Sequence, residues 1–296
     1  MWIQLLYSFT LAAAVFASSA VAAAEVGVVH RGIGLRAVYE RAAAQPGGRP
    51  LVLLVHGTMS HYDMTTVREL RRALLERGYD VLAPNLSLGV DRREGPYDCS
   101  RPYTQRADEV LDEIGAWLDW AHAQGARRVV LAGHSRGGQQ AAWFAAARRH
   151  PALERIVLLA PALSADAIAG YAARFGRPLE PLLEQARRLV AAGRGGELLR
   201  EVGFFSCERA AVSAEAFLSF YARTSESELP ATLPAIRVPT LVVVAGRDEV
   251  VPELAQRIAP AVGARHTLFT VAGADHFFGG LYVEDAADAI TAFLGR

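Results

Sequence analysis

VVLAGHSRGG, residues 129–138, is the stretch of the sequence that decides the fold. Its apolar beginning predicts a buried strand, which ends in a G-x-S-x-G pattern and runs directly into a helix. A serine hydroxyl is a weak nucleophile, so it must stand clear of its own backbone and within reach of a base. Gly133 and Gly137 leave room for the sharp turn that this requires. The strand and helix context makes Ser135 the candidate nucleophile.

Two later apolar runs predict strands that end beside an acid and an imidazole. Residues 239–247 lead to Asp248, and residues 267–271 lead through a short loop to His276. Because the carboxyl ends of parallel strands meet at one edge of a sheet, we expect both side chains to lie near the serine. Asp275 adjoins the histidine, but a residue rarely presents its carboxylate to the ring of its neighbour. Asp248 is therefore the preferred acid.

The order of these residues along the chain points to a family. Serine, acid and histidine follow one another as in α/β-hydrolases, and not as in the two well-known protease families. Upstream, residues 51–55 predict another buried strand, which runs into His56-Gly57-Thr58. The four motifs, in order from residue 51 to residue 277, resemble the α/β-hydrolase superfamily, most closely its small esterases, lysophospholipases and monoglyceride-lipase-like enzymes. The resemblance implies an α/β fold, a mostly parallel sheet flanked by helices with a helical cap insertion.

The same resemblance implies a role for each candidate residue. His276 takes the proton of the attacking serine, and Asp248 holds the imidazole in the required tautomer. The backbone amides of Thr58 and Arg136 form the oxyanion hole, with Met59 as the alternative to Thr58. Water then completes the reaction on the acyl-enzyme.

Three neighbouring side chains allow further interpretations. The Arg136 side chain either attracts an anionic substrate group or has no role beyond that of its amide. His56 and His134 are interpreted as structural residues that pack the two loops around the oxyanion site.

Hydrolysis of carboxylic esters through an acyl-enzyme is the leading functional hypothesis. The expected partner is a small-molecule or lipid ester. The same acyl-transfer mechanism also cleaves thioesters and peptide bonds, so a thioesterase or peptidase is an alternative. A ligand-binding relative that retains the residues without turnover is the other alternative.

Composition narrows the function further. Thirty-one basic and 31 acidic residues balance, so no electrostatic feature suggests a nucleic-acid partner. The chain has no lysine, which excludes a Schiff-base lysine for pyridoxal phosphate and a P-loop lysine. No Cys/His spacing is typical of a metal site, so no cofactor and no metal are expected. The length from residue 25 to residue 296 suits one large domain.

The organisation of the chain includes two amphipathic helices and an insertion. Residues 67–77 and 104–124 predict the helices, the second with its acids on the polar face. Residues 164–234 interrupt the alternation of strands and helices with helical patterns at 181–192 and 213–223, and are expected to form the cap. Five aromatic residues there would line an acyl pocket or form the core of the cap: Phe204, Phe205, Phe217, Phe220 and Tyr221.

The first residues resemble a targeting segment. Residues 1–24 combine an apolar run with a small-residue ending and predict a secretory signal peptide, with an uncleaved anchor as the alternative. Either interpretation predicts a periplasmic or secreted hydrolase, whose membrane association would come only from an uncleaved leader. An oxidising compartment would allow Cys99 and Cys207 to form a disulfide, although two unrelated thiols are an equal alternative. The sequence does not determine the oligomeric state.

Overall fold

The structure is a computed structural model that describes residues 23–43, 48–222 and 227–295. Of the predicted leader, residues 1–22 lie outside the described part of the chain. Across the described ranges, no helix combines the length and the apolar character that crossing a bilayer requires.

An eight-stranded sheet forms the centre of the molecule, in the order β1-β2-β4-β3-β5-β6-β9-β10. The first two strands form an antiparallel hairpin that joins β4 in antiparallel fashion, and the other neighbours are parallel. A separate antiparallel pair, β7 and β8, lies in the insertion. The strands are β1 Ala23–His30, β2 Ile33–Glu40, β3 Leu51–Val55, β4 Val81–Asn85, β5 Val129–His134, β6 Leu153–Leu159, β7 Leu198–Phe204, β8 Cys207–Ser213, β9 Thr240–Ala245 and β10 His266–Val271.

Helices cover both faces of the central sheet. Helices α1 and α10 pack on one face, whereas α2, α3 and the insertion share the core of the other. The helices are α1 Thr65–Glu76, α2 Glu109–Ala123, α3 Arg136–Ala147, α4 Ser164–Ala169, α5 Tyr171–Phe175, α6 Glu180–Ala191, α7 Ala214–Tyr221, α8 Leu229–Thr232, α9 Leu254–Ile258 and α10 Tyr282–Leu294.

Strand β3 is apolar throughout because the sheet is covered on both sides at its centre. In β3, Leu51, Leu53 and Val55 enter the core shared with α2 and α3. Val52 and Leu54 enter the core shared with α1 and α10. Successive side chains of a strand point to opposite faces, so one short apolar run supplies both cores. The mostly parallel sheet with helices on its two faces confirms the predicted fold class.

One observed helix begins well after its predicted start. The pattern at 104–124 predicted a helix, but α2 begins only at Glu109. The preceding segment is extended because Tyr103 pairs with Val212 of β8 and exchanges backbone hydrogen bonds with the hairpin. This long-range pairing holds the loop after β4 against the insertion.

The insertion contains a β-hairpin that the sequence did not predict. The helical patterns at 181–192 and 213–223 correspond to α6 and α7, but β7 and β8 lie between them. Their turn is formed by Phe205 and Ser206, with Phe205 at a positive φ of 52°. Such tight turns usually carry glycine or asparagine, so this one gives no hairpin signal. The insertion is therefore a mixed helix and hairpin unit.

A disulfide settles the alternatives left open for the two cysteines. Cys99, in the loop after β4, is bonded to Cys207 at the start of β8, with the Cα atoms 5.5 Å apart. Because the bonded residues are separated by 108 positions, the bond closes a long loop. It ties the hairpin turn to the loop at the strand ends.

Removing this disulfide should destabilise the fold. We expect the variant Cys99→Ser/Cys207→Ser to lose about 2–4 kcal/mol of unfolding free energy, because its unfolded chain is less constrained. Urea unfolding followed by circular dichroism measures the difference. An unfolding midpoint equal to that of the parent would contradict the expectation.

Candidate active site

Ser135 lies at a strained turn between β5 and α3. Its backbone has φ 55° and ψ −121°, which non-glycine residues rarely adopt. The Ser135 amide donates to the carbonyl of Leu159 on β6 at 2.8 Å, and its carbonyl accepts from the amides of Gln139 and Ala162. These bonds fix the turn from both sides.

The glycines around the serine are required by close backbone contacts. A Cβ at Gly133 would lie 2.3 Å from the carbonyl carbon of Gly137. A Cβ at Gly137 would lie 2.4 Å from the carbonyl oxygen of His56. Both distances are far below van der Waals contact, so the strand, the helix and the loop after β3 meet without side chains between them.

The structure brings Ser135, His276 and Asp248 into one hydrogen-bonded row. The serine Oγ lies 2.9 Å from His276 Nε2, and His276 Nδ1 lies 2.8 Å from Asp248 Oδ2. Since a carboxylate only accepts, Nδ1 carries the proton and Nε2 accepts from the serine hydroxyl. All three residues are buried. The loops after β9 and β10 deliver the acid and the imidazole, as the strand-end argument predicts.

Asp248 is held as an ionised acceptor by its surroundings. Burial acts to raise its pKa, but hydrogen bonds from His276 and from the amides of Val251 and Val250 outweigh this and leave the pKa below its usual value. Asp275, the neighbouring acid, instead hydrogen-bonds to the backbone: its Oδ1 accepts from the amides of Phe277 and Gly279. It shapes the loop that carries the histidine.

Thr58 and Arg136 line the same cleft as Ser135. Arg136 is the first residue of α3, directly after the serine. The Met59 side chain instead turns into the core, where its sulfur lies 3.6 Å from Cys207 Sγ. The assignment of the two oxyanion amides remains a prediction.

His56 and His134 are buried below the loops that frame the serine. His56 Nδ1 donates to the carbonyl of Gly57 at 2.8 Å, and its Nε2 accepts from the Leu86 amide and the Arg93 guanidinium. Burial, assisted by the charge of Arg93, lowers the pKa of His56 to about 3. Burial and the positive charge of Arg93 both oppose protonation, so the His56 imidazole is neutral.

His134 connects the nucleophile turn to the histidine loop. Its Nε2 donates to the carbonyl of His276 at 2.8 Å. Burial, together with the nearby His276, lowers the pKa of His134 to about 4. The imidazole is therefore neutral over the ordinary pH range and serves as a hydrogen-bond donor.

The Arg136 side chain makes contacts that the sequence did not reveal. Its Nε donates to Thr58 Oγ1 at 3.2 Å, and its guanidinium stacks 4.1 Å from the ring centre of Phe205 in the hairpin turn. One side chain therefore touches the loop after β3 and the insertion while its backbone follows the nucleophile. The partners are 78 and 69 positions away, so no local pattern indicates them.

The serine opens into a cleft of about 730 Å³ between the strand ends and the insertion. Phe205 and Tyr221 line it, together with Leu163, Phe175 and Phe277. Of the other aromatic residues singled out by the sequence, Phe204 and Phe217 are fully buried and form the core of the insertion, and Phe220 is also buried there. The two interpretations of the aromatic set thus each apply to part of it.

Within residues 23–43, 48–222 and 227–295, no group of three His, Cys, Asp or Glu side chains is placed to hold a metal ion.

The close contacts at the turn predict the effect of a single methyl group. We expect Gly133→Ala to cost about 3 kcal/mol or more of unfolding free energy, because backbone atoms must move to admit the Cβ. The matched control is Gly115→Ala in α2, where the new Cβ meets only a Phe144 ring carbon at 3.8 Å. That change should stabilise the helix by about 0.5–1 kcal/mol. Equal unfolding midpoints for the two variants would refute this account of the turn.

The neutral buried histidines predict a pH dependence of stability. In the unfolded chain each histidine has a pKa of about 6.5. Below that pH the unfolded chain binds more protons than the folded chain, whose pKa values at His56 and His134 are about 3 and 4. The unfolding free energy should therefore fall as the pH drops from about 6.5 towards 4, by up to about 1.4 kcal/mol per pH unit for each histidine. Urea unfolding between pH 7 and pH 4.5 measures the slope, which His134→Gln should make shallower; an unchanged slope in that variant would count against the assignment.

Comparisons with known proteins show to which family this chain belongs. The model of the alpha/beta hydrolase family matches residues 52–293. No curated protein matches the chain.

Solved structures with the same fold include several hydrolases. Est1E from Butyrivibrio proteoclasticus is 19% identical, with 91% of this chain and 97% of that chain covered and a TM-score of 0.65. The Pyrococcus furiosus esterase Pf2001 is 16% identical, with 93% and 90% covered and a TM-score of 0.61. The alpha/beta hydrolase GrgF from Penicillium is 16% identical, with 93% and 98% covered and a TM-score of 0.68. At these identities the likeness shows the fold, and the family model extends over most of the sequence: the chain belongs to the alpha/beta hydrolase family.

Proposed function

We propose that this protein is a serine hydrolase that cleaves carboxylic esters through an acyl-enzyme intermediate. The observation that carries the proposal is the buried row at the base of the cleft. There, Ser135 Oγ is 2.9 Å from His276 Nε2, and His276 Nδ1 is 2.8 Å from Asp248 Oδ2. Both distances suit proton transfer along a hydrogen bond.

In the first half-reaction, the serine oxygen attacks the ester carbonyl carbon while His276 Nε2 takes the hydroxyl proton. The π electrons of the carbonyl move to its oxygen, which becomes an oxyanion. His276 is then an imidazolium, and ionised Asp248 stabilises it across the 2.8 Å hydrogen bond. The oxyanion collapses, the bond to the alcohol oxygen breaks, and the imidazolium protonates the departing alcohol.

In the second half-reaction, water repeats these steps on the acyl-enzyme. The water oxygen attacks the acyl carbon while His276 takes a proton from the water. The serine oxygen then leaves and receives that proton from the imidazolium. The products are a carboxylic acid and the free enzyme. No external oxidant or cofactor enters this scheme.

The oxyanion is assigned to the backbone amides of Thr58 and Arg136. Support comes from the cleft, whose wall contains both residues beside Ser135, and from the position of Arg136 at the first turn of α3. A helix N-terminus favours negative charge. The Thr58 hydroxyl accepts a hydrogen bond from the Arg136 side chain, so the two residues whose amides are proposed as donors hold each other in place.

Esters are preferred over thioesters and peptides for two reasons. One structural relative, Pf2001 from Pyrococcus furiosus, is described as an esterase. The apolar and aromatic side chains of the cleft also suit an acyl chain, which extends the proposal to acyl lipids.

We further propose that the protein acts outside the cytoplasm, in the periplasm or after secretion. The signal-peptide pattern at residues 1–24 supports this location. The disulfide between Cys99 and Cys207 also supports it, because such bonds persist in oxidising compartments.

Activity-based labelling tests the proposed chemistry. An activated fluorophosphonate should label the purified protein at Ser135, and the label should disappear in Ser135→Ala and His276→Ala. Hydrolysis of p-nitrophenyl butyrate should fall by about 10⁴-fold or more in both variants. Asp248→Asn should lower kcat by roughly 10⁴-fold, because the imidazole then takes the wrong tautomer, with the proton on the nitrogen that must accept from the serine.

A second serine of the cleft provides the control. Ser206 also lines the cleft, but its hydroxyl lies 3.4 Å from the sulfur of Met59 and not beside the histidine. Ser206→Ala should therefore keep the fluorophosphonate label. Absence of label in the parent protein would favour a catalytically silent ligand-binding protein. Faster turnover of a matched thioester or peptide would assign the bond to one of those classes.

A further inference from the structure

We infer that Arg93 is a positioning residue for the oxyanion hole, and that it acts through His56 on the peptide that carries the Thr58 amide. The inference rests on the proposed function and goes beyond it, because it assigns a role to a buried side chain in the loop after β4. The evidence is a chain of hydrogen bonds that leads from Arg93 to this peptide.

The loops that carry His56 and Arg93 lie side by side. β3 and β4 are parallel neighbours in the sheet, so the loops that follow them leave it at the same edge. His56 directly follows β3, and Arg93 lies in the loop after β4. The two residues are buried, with exposed fractions of 1% and 5%. A contact between them therefore links the loop of Thr58 to the neighbouring loop.

Two hydrogen-bond donors set the tautomer of His56. Its Nε2 lies 3.0 Å from Nη2 of Arg93 and 3.1 Å from the amide nitrogen of Leu86. A guanidinium has no acceptor, and burial lowers the pKa of Arg93 only to about 10, so this group is a charged donor at neutral pH. Nε2 must therefore be the unprotonated nitrogen of the ring, and Nδ1 carries the proton.

The proton on Nδ1 fixes the orientation of the peptide between Gly57 and Thr58. Nδ1 donates to the Gly57 carbonyl at 2.8 Å, and the Ser60 amide donates to the same oxygen at 3.3 Å. This peptide is trans and planar, so its C=O and N–H point in opposite directions. The Thr58 amide therefore points away from His56, and Thr58 lines the cleft beside Ser135. This is the orientation that the proposed oxyanion donor requires.

The guanidinium of Arg93 is itself held in place. Its Nε donates to the Leu86 carbonyl at 2.7 Å, and its Nη1 donates to the Gly95 carbonyl. The Asn85 side chain donates to the Arg93 carbonyl at 3.1 Å and accepts from the Tyr62 amide at 2.8 Å. Nη2 is thereby directed at His56, so the loop after β4 determines where the imidazole lies.

The peptide held by His56 is close to the nucleophile. A Cβ on Gly57 would lie 3.4 Å from the Cβ of Ser135, so the backbone of this loop is almost in contact with the serine side chain. A displacement of about 1 Å in such a place can cost about 10²-fold in rate. A change at Arg93 that lets the peptide rotate should therefore be visible in catalysis.

Kinetics of Arg93→Met test the inference, because this variant removes the guanidinium and keeps an unbranched side chain. We expect kcat for p-nitrophenyl butyrate to fall by at least about tenfold with KM within about twofold, since the oxyanion exists only after attack on the carbonyl. The ketone 1,1,1-trifluorohexan-2-one accepts the serine oxygen at its carbonyl carbon and becomes an oxyanion. Its inhibition constant should rise in parallel.

Two controls separate positioning from folding. Fluorophosphonate labelling run to completion counts the intact active sites, so kcat is expressed per working site in each variant. Arg101→Met removes an exposed arginine from the same loop and should match the parent in kcat and in the inhibition constant.

A double-mutant cycle tests the route through His56. His56→Leu removes the donor to the Gly57 carbonyl and should lower kcat about as much as Arg93→Met. In that background, Arg93→Met should change kcat by less than about twofold, because residues that act along one path are not additive. His56→Asn should retain more activity than His56→Leu, since the asparagine amide nitrogen takes the place of Nδ1 and can donate to the same carbonyl.

Nitrogen-15 NMR reads the tautomer without any turnover. The His56 signals, assigned by their loss in His56→Asn, should show a proton on Nδ1 and none on Nε2.

The outcomes separate this inference from the proposed function. Equal kcat in Arg93→Met and Arg101→Met refutes the positioning role, as does an unchanged inhibition constant for the ketone in Arg93→Met. Additive effects in the double variant, or a proton on Nε2 of His56, also refute it. A parent protein that is neither labelled nor active overturns the proposed function instead, and the NMR spectrum still decides whether His56 has the inferred tautomer.

Discussion

The turn at Ser135 is the constraint on which the rest of the structure depends. Its left-handed backbone carries a strain of about 1–3 kcal/mol, which persists only where surrounding structure holds it. β5 supplies that support because it lies in the interior of the sheet, between β3 and β6. The close approach of Gly137 to the carbonyl of His56 then sets the distance between the nucleophile and the loop after β3. One backbone contact therefore positions both the serine and the segment assigned to the oxyanion.

The sequence predicts the parts of this arrangement that follow from short-range rules. Residues 51–55 are predicted at their observed bounds because they form an apolar run that the sheet buries on both faces. The sequence alone predicts that Ser135, Asp248 and His276 lie close together, because each follows a strand of the same parallel sheet, and the structure places them within hydrogen-bond distance. In this fold, the position of a residue relative to a strand end is nearly a position in space.

Other features depend on long-range contacts that leave no local pattern. Glu113 sits on α2, whose acids were expected on the polar face, yet it is buried and accepts from the Ser87 amide and from Gln105. Burial raises its pKa despite these bonds. Likewise, the hairpin of the insertion is defined by the disulfide at Cys207 and by the pairing of Val212 with Tyr103. Each of these partners lies far away along the chain, so helical or strand periodicity cannot identify it.

The neutrality of His134 has a consequence for the proposed reaction. The ring centres of His134 and His276 are 5.1 Å apart, and in the proposed mechanism His276 becomes positively charged in each half-reaction. A second positive charge at that distance would oppose this step, since like charges in a buried site interact strongly. Burial keeps His134 uncharged, with a pKa of about 4, while its Nε2 still donates to the carbonyl of His276. The residue thus fixes the backbone of the base without competing for its proton, which explains why a histidine can occupy the position next to the nucleophile.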